Sequence, residues 1–63
     1  MTIRELATNW IENDRTGDYC REITLEDAMT LISYMDQDTI DSLDEEITPE
    51  TFMAIWNDII REG

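Results

Sequence analysis

Three stretches of the chain repeat apolar residues at helical spacing, and a threonine stands before each. Ile3, Leu6, Ala7, Trp10 and Ile11 recur at i, i+3, i+4, i+7 and i+8, the pattern of a helix with one buried face. Thr2 precedes them with Glu5 three residues on, a capping-box arrangement, and Met1 and Leu6 are placed as a hydrophobic staple. A helix over residues 2–14 follows, weakened at Asn13-Asp14, with Gly17 as its stop. Leu25, Ala28, Met29, Ile32 and Met35 form the core stripe of a second helix over 25–35, with Thr24 as N-cap and Asp27 at the third position. Leu31 and Tyr34 fall off that stripe and broaden its apolar side. The third stretch opens with Ile47-Thr48-Pro49-Glu50, which gives a cap, a proline at the first helical position and an acid at the positive end of the helix dipole. Phe52, Ile55, Trp56, Ile59 and Ile60 then make a wide buried face over 49–62. Met53 lies on its flank, Arg61 at its negative end, and Gly63 closes the chain.

Between these helices the pattern weakens. Residues 15–23 read as a connection with a turn at Gly17-Asp18 and a short extended piece at Tyr19–Ile23 that has no evident partner to pair with. Residues 36–46, Asp-Gln-Asp-Thr-Ile-Asp-Ser-Leu-Asp-Glu-Glu, hold only Ile40 and Leu43 as apolar anchors. Poor helix formers in succession place a break near 36–38. Asp38 then caps a short acidic helix or turn over about 39–46. Ile23-Thr24-x-Glu26-x-Ala28-Met29 also echoes Ile47-Thr48-x-Glu50-x-Phe52-Met53, as well-made helix starts resemble one another.

The expected fold is therefore all-α: a small bundle of three principal amphipathic helices plus the short acidic element, in a single domain spanning 1–63. A chain of this length buries only about 60% of the surface its unfolded form exposes, so its stability is marginal without a supplement. One cysteine, Cys20, excludes an internal disulfide, and the lack of histidine argues against a structural zinc site. Association with itself or with a partner is the supplement left open. No apolar run is long enough to cross a membrane, and Met1 leads straight into a helix start. With a lone thiol, the expected location is the reducing cytoplasm.

Charge changes this picture most. The formal net charge is −12, with 16 acidic residues against four arginines and no lysine. Residues 22–60 contain no cationic side chain, and six of the eleven residues from 36 to 46 are acidic. Direct binding to nucleic acid or to an anionic membrane is disfavoured by such a field. A helix-turn-helix over 25–46 would aim Asp41, Asp44, Glu45 and Glu46 at phosphates. The Asp36-x-Asp38 opening of a calcium loop fails further on, where Ile40, Asp41 and Ile47 occupy the fifth, glycine and closing-glutamate positions. A register from Asp14 fails as well, placing Tyr19 and Leu25 where the glycine and the glutamate are needed. Without histidine or lysine, Cys20 and the serines lack the common general bases, and a chain this small has little room for the unlike environments a carboxylate pair would need. Trp10, Phe52 and Trp56 read as core, so neither a cofactor nor a metal is implied. The expectation is a protein that is not an enzyme.

Three uses remain for the acidic stretch. It can be a solvated face that keeps a small apolar bundle dispersed, although a net charge of about 2 to 8 suffices for that. It can be a docking face for a protein partner with a basic surface, made of Asp36, Asp38, Asp41, Asp44, Glu45, Glu46 and Glu50. On a helix, Asp38, Asp41 and Glu45 would form one row, with β-carbons about 5–6 Å apart, a pitch that roughly imitates successive phosphates of a nucleic-acid strand. In size, charge and helicity alone the chain resembles the small acidic DNA-mimic inhibitors of restriction and RNA-guided nucleases carried by phages and mobile elements. That resemblance implies an inhibitor or regulator of a nucleic-acid-handling protein, and reversing Asp41, Asp44 and Glu45 to lysine would test it. The third use leaves the acids aside. A helical adaptor or assembly subunit would bind its partner or itself through Leu31, Tyr34, Met35 and Met53, with Trp56 as a further contact.

Overall fold

Each principal helix starts on the threonine that precedes it. The computed structural model describes residues 1–14, 17 and 20–62, and all of its regular structure is helical: α1 (Ile3–Asn13), α2 (Leu25–Ser33), α3 (Gln37–Asp41) and α4 (Pro49–Glu62). The Glu5 N–H donates to Thr2 Oγ1 at 3.1 Å, the Asp27 N–H to Thr24 Oγ1 at 3.1 Å, and the Thr51 N–H to Thr48 Oγ1 at 3.2 Å. These bonds satisfy first-turn donors that have no partner within the helix. At α2 the box is reciprocal, since the Thr24 N–H donates to Asp27 Oδ2 at 3.2 Å. The Thr-x-Glu echo is thus a repeated capping solution.

α1 and α2 both pack on α4, which supplies the centre of the core. Phe52 and Trp56 are fully buried on α4 and stack with ring centroids 5.5 Å apart, and Trp10 of α1 meets Phe52 edge-on at 6.4 Å. Leu6 and Ala7 from α1, Ala28 and Leu31 from α2, and Ile23 and Met35 from the flanking segments complete the buried cluster, while Ile3 is fully buried as well. Ile40, Leu43, Ile47, Met53, Ile55, Ile59 and Ile60 are partly buried against it. The aromatic trio is core, as its spacing indicates.

Two elements differ from the pattern reading. On α2 the buried stripe is Ala28 and Leu31, continued by Met35 beyond the helix, while Leu25 and Met29 face outward. The helix is only nine residues long and touches a single neighbour, so α4 covers a narrower strip than the full apolar face. The short acidic helix is capped by Asp36, not Asp38, because Asp36 Oδ1 accepts the Thr39 N–H at 3.0 Å. It ends at Asp41, and the chain from Ser42 to Thr48 turns without helical structure.

The extended piece before α2 does find partners, and they are side chains. The Ile23 N–H donates to Asn57 Oδ1 at 2.7 Å and Asn57 Nδ2 donates to the Ile23 carbonyl at 3.0 Å. The Asn57 amide thereby stands where a neighbouring strand would. Trp56 Nε1 donates to the Arg21 carbonyl at 3.0 Å, which also satisfies the indole of a fully buried ring. Tyr19 of that piece, Asp18 of the expected turn and Gly63 lie outside the described residues. Gly17 has φ of 76°, a left-handed conformation that glycine adopts without strain.

Candidate acidic docking face

The acidic stretch is held in place from three directions. Asp36 fixes its start through the cap on α3, and the bonds from Thr39, side chain first and then backbone, hold the Asp36 carboxyl below its ordinary pKa. Ile40, Leu43 and Ile47 seat it against the core. The third tie runs to the start of α1. The Asp44 N–H donates to the Met1 carbonyl at 2.8 Å, the Met1 ammonium reaches the Ser42 carbonyl at 2.8 Å and Asp44 Oδ2 at 3.2 Å, and the Ile3 N–H donates to Glu45 Oε1 at 3.1 Å. Glu45 thus caps a first-turn amide of a helix 42 residues earlier in the chain, where a carboxylate also meets the positive end of the helix dipole.

This arrangement divides the seven acidic candidates, all of which are exposed. Asp36, Asp44 and Glu45 bond to the backbone and shape the fold. The Asp41 carboxylate accepts from Gln37 Nε2 at 2.8 Å along the short helix. The carboxylates of Asp38, Glu46 and Glu50 have no hydrogen-bonding or ionic partner among the described residues. The helical row expected from Asp38, Asp41 and Glu45 is reduced to Asp38 and Asp41, since α3 stops before Glu45.

The described arginines are engaged elsewhere. Arg4 of α1 pairs with Asp58 at 3.0 Å and with Glu62, both on α4, and the Asp58 hydrogen bond leads the effects that hold its guanidinium more firmly protonated. Arg61 pairs with Glu22 at 2.7 Å, and Arg21 with Asp27 at 3.4 Å. The Asp27 carboxyl is held below its ordinary pKa, chiefly by the Thr24 backbone N–H and less by Arg21. Apart from the terminal ammonium on Asp44, no described cation pairs with the stretch from Asp36 to Glu50. No basic residue stands in the last turn of α2 or α3, so no cation there offsets the negative ends of these helices.

The apolar candidates separate differently. Leu31 and Met35 are core residues and Met53 is partly buried, so of the four only Tyr34 is prominently exposed. Leu25 and Met29, assigned to the core by spacing, are the exposed apolar residues that periodicity alone missed. Asn57 was equally hidden: a single asparagine on a helix carries no signal that its amide will stand in for a strand.

Among the described residues no pocket is formed, and no three cysteine or acidic side chains converge as a metal ion would require. No described helix is long and apolar enough to cross a membrane. Compared with protein-family models, curated proteins and solved structures, the chain finds no match.

Proposed function

We propose that the chain is a non-enzymatic acidic interaction protein that docks on a basic surface of a nucleic-acid-handling protein and acts there as an inhibitor or regulator. One observation carries this reading. Asp38, Glu46 and Glu50 are exposed and unpaired on a segment fixed at both ends, while Arg4, Arg21 and Arg61 are committed to acids outside it. A solubilising coat has no need of an anchored backbone. A docking face does, because ordering a mobile acidic loop at the moment of binding costs affinity. The unpaired carboxylates would replace phosphate oxygens against lysine and arginine of the partner and steer the encounter. The partner is a protein; nucleic acid and membrane surfaces are repelled.

The test follows from the division of the acids. Reversing Asp38, Glu46 and Glu50 to lysine inverts three charges without touching a side-chain cap or a backbone tie, and because Asp38 and Glu50 stand in the first turns of α3 and α4 the variant is checked for unchanged helicity by circular dichroism. The wild type and this triple variant are immobilised and exposed to lysate of the source cells at about 50 and 500 mM salt. Retained proteins are eluted with duplex DNA. The expected result is a set of nucleic-acid-handling proteins held by the wild type, released by salt and by DNA, and lost from the variant. Retention of the same proteins by the variant, or failure of DNA to compete, would refute the reading.

A further inference from the structure

We draw no further inference here: the strongest candidate, the exposed flank of α2 that carries Leu25 and Met29 one turn apart, is a pair of apolar side chains with nothing in the structure to show what covers it.

Discussion

Asn57→Ala is expected to be among the most damaging single changes outside the apolar core. The Asn57 amide closes two bonds to Ile23, at 2.7 Å to its N–H and 3.0 Å to its carbonyl, and Ile23 itself is only 4% exposed. Alanine removes both partners at once. A net intramolecular hydrogen bond contributes about 1 kcal/mol, and a buried donor left without a partner costs about 1 to 3 kcal/mol, so the loss should be about 2 to 3 kcal/mol. At typical values per residue the whole chain is stable by roughly 3 to 9 kcal/mol, which makes this a large fraction. For a domain of this size each kcal/mol shifts Tm by about 4 to 8 °C. The expected fall is therefore at least about 8 °C, measured by far-ultraviolet circular dichroism at fixed pH and salt. Asn57→Asp keeps an acceptor for the Ile23 N–H but sets a carboxylate against the Ile23 carbonyl, so it should be no better than alanine. Hydrogen exchange at the Ile23 amide should accelerate in both variants. A fall of less than about 3 °C for Asn57→Ala, with Ile23 still protected, would refute the clasp.

Other expectations follow from the same bonds. Glu45→Ala removes the acceptor for the Ile3 N–H and should destabilise by about 1 kcal/mol; Glu45→Gln, which keeps a neutral acceptor, should lose less, as thermal melts will show. For pH dependence, the folded-state pKa values of Asp27 and Asp36 lie below the unfolded value of 3.8. Their contribution is therefore fully present above that value and lost as pH falls through the lower folded values. The Tm difference between wild type and Asp36→Ala should stay flat from pH 7 to 5 and narrow progressively as pH falls below 3.8; a difference that does not narrow as pH falls would contradict the assignment. With a net charge of −12, self-repulsion should make the fold salt-stabilised. Tm should rise by a few degrees between about 10 and 300 mM sodium chloride, and a fall would show that the ion pairs of Arg4, Arg21 and Arg61 outweigh it.

Helices and caps were legible because their causes are local. A threonine followed by an acid three residues later, at α1 and α2, or by proline and glutamate, at α4, together with apolar residues at helical spacing determines where these helices begin, with no knowledge of the tertiary structure. The face that α2 buries was not legible. Leu25, Met29 and Leu31 are all apolar, and the choice among them depends on where α4 lies relative to the helix. Asp36 and Asp38 are alternative caps two residues apart, and the seating of Ile40 against the core decides between them. The roles of Glu45 and Asn57 are non-local, linking segments 42 and 34 residues apart through single side-chain bonds. Neither residue type at its position announces such a bond. The candidate site was legible as a run of charge, but its division into structural and unpaired carboxylates required the fold.

That division alters how the acidic stretch can be interrogated. Reversing Asp41, Asp44 and Glu45 together removes the Glu45 bond to α1 and the Asp44 ion pair with Met1. Loss of binding in that variant would not distinguish a disrupted face from a loosened α1. The Asp38, Glu46 and Glu50 carboxylates carry no such ties, so once unchanged helicity is verified for Asp38 and Glu50, which stand in the first turns of α3 and α4, their reversal tests the charge of the face. The same logic explains how so short a chain can hold so many like charges. Part of the run stabilises the fold locally, through the Asp36 cap and the Glu45 bond to the positive end of α1, and offsets some of the repulsion from the rest. What remains exposed and without an ionic partner among the described residues is a small set of carboxylates, Asp38, Glu46 and Glu50, on a backbone that these bonds hold in place.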